Sequence, residues 1–166
     1  MIMPLKTNPD SLGFLLTEVS RLMRNAVERR ISDAGLEITS GEARALMHVA
    51  ANEGARQTVI AERMGVEPMT VCAYLDRLEK IGLVARQPDP GDRRAKNVRT
   101  TDAADRMIAA IRKETTALFD IVQTGLDAEA REALSSSLKL LRGNLQAALA
   151  DRQVAKEILQ LTGADT

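Results

Sequence analysis

Apolar residues recur at spacings of three and four along most of the chain, the period of a helix buried on one side. Leu12, Leu15, Val19, Leu22, Ala26 and Ile31 predict a first helix over 11–33, opened by Ser11 and stopped by Gly35. Leu16, Met23 and Val27 widen its stripe beyond one face, which predicts contact outside its own subunit. Thr39 and Glu42 form a capping box for a second helix, with Ala43, Leu46, Met47 and Ala50 inward and Asn52 and Gly54 as its end. A short third helix spans Thr58 to Met64 and stops at Gly65. Pro68 suits the first position of a fourth helix, which runs to Lys80 with Val71, Leu75 and Leu78 inward; Gly82 closes it. Thr101 is expected to cap a fifth helix, with Asp102 and Asp105 near its start, a stripe of Ala104, Ile108, Ile111, Leu118 and Val122, and Gly125 at its end. Asp127 caps a sixth, whose Ala130, Leu134, Leu138, Leu141, Leu145 and Ala148 form a coiled-coil-like seam. Val154, Ile158 and Leu161 follow at an offset and predict a further short helix from Asp151.

One stretch breaks the helical period. Val84–Gln87 and Lys96–Arg99 read as two short strands, and Pro88, Pro90 and Gly91 fit the loop between them. Helix, tight turn at Gly65, helix is a helix-turn-helix pattern, weak alone because many helical pairs share it. A basic hairpin directly behind it reads as a wing that grips DNA.

Composition narrows the picture. The 166 residues make one domain, or one with an oligomerisation arm. Aromatic residues are 2% of the chain and hydrophobic ones 45%, so the core is built from Leu, Ile, Val, Met and Ala, a mix that favours helices. The formal net charge of zero argues against a nucleic-acid binder, but its distribution does not. Arg86, Arg93, Arg94, Lys96 and Arg99 stand against Asp89 and Asp92 within 84–100, whereas 101–166 holds eight basic and ten acidic residues. A basic tip on a neutral body is a legitimate DNA footprint. One Cys and one His exclude an intramolecular disulfide and a Cys/His zinc cluster within one chain, so no metal and no cofactor are expected. Ser-His-Asp, Cys-His and Gly-rich phosphate motifs are missing, which argues against an enzyme. No apolar run of about 18 residues and no signal-peptide core is visible, so a cytoplasmic protein without membrane contact is expected.

The segments PMTVCAYLDRLEKIGLVARQ, DPGDRRAKNVRTT and TDAADRM resemble the MarR family of bacterial transcription regulators over about residues 12–150, and DRRAK resembles its SlyA-like branch. The resemblance implies a mainly α fold: a winged helix-turn-helix with a small β-hairpin wing and an intertwined helical dimerisation domain. Residues 1–36 and 101–166 would supply the dimerisation helices and 37–100 the DNA-binding domain. It implies a homodimeric repressor of imperfect-palindrome double-stranded DNA, released by a small aromatic carboxylate or phenol. Recognition helices would enter successive major grooves and wings the flanking minor grooves. The alternatives are an effector-independent regulator or anti-silencer of the SlyA-like kind, and a winged-helix module for protein contact.

The DNA-facing set is then Thr58, Pro68, Met69, Thr70, Cys72, Ala73, Arg77, Arg86, Arg93 and Arg94. Thr70 can donate to a phosphate or a base edge, Met69 and Ala73 can meet a thymine methyl, and Arg77 lies far enough along the helix for a phosphate. A merely solvated helix face is the bland reading of Thr70 and Ala73. Many relatives have Ser-Arg where this chain has Cys72-Ala73, which removes the strongest base reader and shifts specificity toward DNA shape and the wing. By resemblance Asp92 pairs with a neighbouring Arg and shapes the wing, while Arg93 or Arg94 enters the minor groove. Cys72 is lone and several residues inside its helix, and the first helix lacks the Cys of the peroxide-sensing branch, so packing or DNA-facing filler is its expected role. Met23, Arg24, Met47 and His48 are the candidate ligand pocket, with an Arg suited to a carboxylate; a satisfied or surface His is the bland reading of His48.

Overall fold

The structure is a computed structural model that describes residues 8–92 and 94–162, with side chains up to Asp151. The elements run α1 (Leu12–Asp33), α2 (Ser40–Ala50), β1 (Ala55–Arg56), α3 (Gln57–Met64), α4 (Pro68–Lys80), β2 (Val84–Pro88), β3 (Lys96–Thr100), α5 (Ala104–Val122) and α6 (Ala128–Thr162). The chain divides into two compact units, one up to Asp120 and one from Ile121 onward.

In the first unit the helix-turn-helix and a small sheet share one aliphatic core. Leu46 and Val49 of α2, Ile60 of α3, Val71, Leu75 and Leu78 of α4 and Val98 of β3 are all fully buried. Burying such a side chain contributes about 1.5–3 kcal/mol, so the missing aromatics are replaced by number rather than size. The capping box at α2 is complete: Glu42 N–H donates to Thr39 Oγ1 (3.2 Å), and Thr39 N–H donates to Glu42 Oε2 (2.8 Å). Thr39→Ala removes one cap and orphans the other partner, and is expected to cost about 1 kcal/mol. A thermal melt reads that as a fall of a few degrees; an unchanged Tm would mean that the cap contributes nothing to folding.

The sheet has three antiparallel strands in the order β1-β3-β2. The hairpin register runs from Val84↔Thr100 to Pro88↔Lys96, and β1 adds Ala55↔Val98 and Arg56↔Asn97 on the other edge of β3. Periodicity could not reveal β1, which is two residues long. Glu53, just before it, accepts from the Thr100 N–H (3.2 Å) and from the Thr100 hydroxyl.

Two expectations about the C-terminal helices are corrected. Thr101 does not cap α5 with its side chain; its hydroxyl donates to the Gly82 carbonyl (2.6 Å), tying the end of β3 to the turn after α4. No helix boundary occurs at Asp151, since α6 continues unbroken from Ala128 to Thr162. At the other end of α6, Asp127 does cap, accepting the Ala130 N–H at 2.8 Å. The α6 seam residues Leu134, Leu138 and Leu145 are exposed in the single chain, as are Leu12, Phe14, Val19 and Leu22 of α1.

Candidate nucleic-acid interface

The turn between α3 and α4 is made by Gly65, whose φ of +63° is the left-handed conformation that L side chains avoid. Its N–H donates to Glu62 O (3.0 Å) and that of Val66 to Ala61 O (3.2 Å), which satisfies the end of α3. Pro68 then opens α4 in the first helical turn, where its missing N–H costs nothing. With Val71, Leu75 and Leu78 facing the core, the 3.6-residue period turns Pro68, Met69, Thr70, Ala73 and Arg77 to solvent. Met69 is 85% exposed, an extreme for a large apolar residue on an ordered helix. Thr58, on the first turn of α3, is also exposed, and Cys72 is half-buried at the edge of the α4 face.

Arg86, expected among the DNA contacts, is engaged within the protein itself. Its side chain is only 9% exposed and turns inward from β2 onto α4. One terminal nitrogen pairs with Asp76 and with Glu79 (3.1 Å), and the other donates to the Cys72 carbonyl (3.1 Å). Glu79 also accepts the Arg86 backbone N–H at 3.1 Å. Burial works against the guanidinium charge, but the hydrogen bond and charge of Asp76, with Glu79 behind it, outweigh this and raise the Arg86 pKa. Arg86 is therefore a permanently charged strut between the wing root and the recognition helix, with no donor left over for a phosphate except the buried Nε.

The loop of the wing is organised by Asp89. Its N–H closes the hairpin on Ala95 O (3.0 Å). Its Oδ1 accepts the N–H groups of Gly91 (2.8 Å) and Asp92 (3.1 Å), while its Oδ2 takes Arg56 Nε at 3.0 Å. The Arg56 hydrogen bond, with the Gly91 N–H next, holds the Asp89 carboxyl down at about 2. A depressed carboxylate supports structure above its ordinary pKa and loses that support only as pH falls toward the folded value, so this pair is ionised throughout the neutral range. Asp92, given the wing-shaping role by resemblance, accepts the Arg94 backbone N–H at 3.0 Å. Among the described residues the ion pair of the wing loop, as distinct from the Arg86 pairs at its root, is Arg56–Asp89, and sequence reasoning singled out neither as structural. The Asp-Pro-Gly run was the available signal, because Asp side chains close turns on the N–H two residues on. Arg94 is exposed at the tip; Arg93 lies outside the described residues.

A cavity of about 500 Å³ opens beside α4, lined by Met23, Arg24 and Val27 of α1, Gly41, Arg44 and Met47 of α2, Tyr74 of α4, and Ile111, Thr115 and Phe119 of α5. It thus includes three of the four residues picked from sequence. His48 is the exception: it is half-buried outside this lining, and burial first, then Arg44 and Arg63, lower its pKa and keep it neutral. Sequence reasoning missed Arg44 and Tyr74. Arg44 Nε is buried without a partner. Tyr74 lies close against Gly41, where a Cβ would come 2.5 Å from the ring, so a residue of α4 itself forms part of the cavity wall.

The MarR family model matches residues 38–96, from two residues before α2 to the first residue of β3. The uncharacterized HTH-type transcriptional regulator YybA of Bacillus subtilis (strain 168) is 24% identical over 111 residues, covering 67% of this chain and 74% of that protein. A MarR transcriptional regulator from Methanosarcina mazei Go1 superposes with a TM-score of 0.71 at 22% identity, over 82% of this chain and 97% of that one. The transcriptional repressor CouR, solved bound to a 23-mer DNA duplex, gives a TM-score of 0.65 at 26% identity, over 84% and 99% of the two chains. The family match covers the helix-turn-helix and most of the wing, and the structural neighbours share the fold of the chain.

Proposed function

We propose that this protein is a DNA-binding repressor, acting as a homodimer on an imperfect palindrome. The observation that carries the reading is the exposed face of α4, Met69, Thr70, Ala73 and Arg77, braced against a basic wing by Arg86. Thr70 and Arg77 reach phosphates or base edges, Met69 and Ala73 meet thymine methyls, and Arg93 or Arg94 enters the minor groove. The exposed apolar faces of α1 and α6 support a second copy of the chain as their cover. Asp92-Arg93-Arg94-Ala95-Lys96 supports the SlyA-like branch. Among the described residues no helix is long and apolar enough to cross a membrane. Fluorescence anisotropy with DNA flanking the protein's own gene tests the reading: binding that survives excess competitor is expected, and equal affinity for unrelated duplexes would contradict a specific regulator.

The cavity beside α4 is the site at which a small aromatic carboxylate or phenol would release DNA. Arg24 and Arg44 supply positive charge against one carboxylate, Glu28, and the unpartnered Arg44 Nε gives a donor to an anion within mainly apolar walls that include the rings of Tyr74 and Phe119. A ligand there touches Tyr74, and through it the recognition helix. Calorimetric titration with salicylate is expected to show binding that Arg44→Gln weakens about tenfold or more, the loss of one charge-assisted hydrogen bond. Equal affinity for the two proteins would place the ligand elsewhere.

A further inference from the structure

We propose that Arg56 and Asp89 form a clasp that positions the wing for DNA, a role beyond the recognition helix and the wing-tip arginines; the proposal rests on the DNA-binding reading above. The two residues are 33 apart in the chain and come from opposite sides of the sheet. Arg56 is the last residue of β1 and stands directly before Gln57, the first residue of α3, so its backbone moves with the helix-turn-helix. Asp89 is the first residue after β2 and starts the wing loop. Because β3 lies between β1 and β2, the Arg56–Asp89 pair bridges the full width of the three-stranded sheet.

The two carboxylate oxygens divide the work. Oδ1 closes the loop on the Gly91 and Asp92 N–H groups, and Oδ2 anchors that closed loop to Arg56 at 3.0 Å. The Asp89 side chain is 14% exposed, whereas Arg56 is 45% exposed, so the carboxylate is the sheltered member and the arginine covers it. Arg86 fixes the root of the wing to α4, and the clasp fixes its loop to the start of α3. A hairpin held only at its root swings about that root; one held at two points presents its tip at a defined distance from the recognition helix. Preorganisation of this kind strengthens binding by removing the ordering cost at the moment of contact.

The clasp makes a prediction of opposite sign to simple electrostatics. Asp89 is a negative charge on an element that approaches a polyanion, so by charge alone Asp89→Asn should tighten DNA binding, and it would also free Arg56 for a phosphate. As a positioning residue, its loss should weaken binding. Asn keeps an oxygen for the Gly91 and Asp92 N–H groups, so the turn itself is preserved and only the tie to Arg56 is lost.

The test uses the full-length protein and two readouts. Limited trypsin digestion of the free protein, followed by mass spectrometry, reads cleavage after Arg94; anisotropy titration reads DNA affinity. Asp89→Asn is expected to be cut several-fold faster at the wing and to bind DNA about five- to tenfold more weakly, with the same helical circular dichroism. Arg56→Gln, which leaves the Asp89 turn intact and removes the same tie, is expected to match Asp89→Asn in its rate of cleavage. Unchanged cleavage in Asp89→Asn overturns the clasp. Faster cleavage with equal or tighter DNA binding overturns its positioning role. A wild-type protein that binds no DNA removes the regulator reading and the positioning role with it, while the cleavage readout still decides whether the clasp exists.

Discussion

Replacing Arg93 and Arg94 together by Ala is expected to lower DNA affinity about a hundredfold at moderate salt, with each guanidinium contributing roughly tenfold. The same change should flatten the dependence of log K on log salt by about 1.8, because each phosphate-neutralising cation contributes about 0.9 to that slope. The structure gives the reason for so local an effect. Arg86 is held by Asp76 and Glu79, and Arg56 by Asp89, so among the described residues the wing cations outside ion pairs are Arg94, Lys96 and Arg99. Anisotropy titrations at four or five salt concentrations measure both quantities; an unchanged slope would remove the wing from the interface.

Removing residues 127–166 is expected to leave an insoluble or unfolded chain. The single chain exposes Leu12, Phe14, Val19 and Leu22 on α1, and Ile121 and Val122 at the end of α5. Leu134, Leu138, Leu140, Leu145 and Leu149 are exposed along α6. Apolar stripes this long on soluble helices mark a surface covered by another chain. In the proposed dimer a second copy would cover these stripes, and because obligate dimers often have no stable folded monomer, deleting α6 is expected to remove the fold with the association. Light scattering coupled to size exclusion should give twice the 18.1 kDa chain mass for the full-length protein, and aggregate for the truncation. A truncation that stays soluble, helical and monomeric would contradict an intertwined dimer.

Much of the fold was legible because it rests on local chemistry. Gly65, Pro68, the Thr39–Glu42 box and Asp127 each act within four residues of where they stand, and each does in the structure what its neighbours in sequence imply. The wing strands were legible from two short runs around a Pro/Gly loop, and observed strands extend each by one residue. What escaped depends on residues far apart. β1 exists only because β3 arrives beside it, some 40 residues later. Arg86 reads as a free cation in sequence and is a strut in space because Asp76 and Glu79 sit at i and i+3 on α4, one turn apart facing β2. Thr101 has a cap residue's identity, but the Gly82 carbonyl 19 positions earlier takes its hydroxyl. Asp151 suggested a boundary only because the apolar stripe shifts there, and a shifted stripe is compatible with one continuous helix. At the cavity, Tyr74 was hidden by its membership of the recognition helix, and His48 drew notice as the lone histidine although α2 turns it away from the lining.

The most direct measurement is selection of a random duplex library on the purified full-length protein, followed by sequencing of the bound DNA. Two recognition helices fixed to one dimer should enrich an inverted repeat with half-sites about one helical turn, about 34 Å, apart. Flanking A·T-rich steps should be enriched as well, where a wing arginine meets a narrow minor groove. A bound pool with no enriched sequence, or a single asymmetric motif with no half-site symmetry, would contradict a dimeric operator-binding regulator.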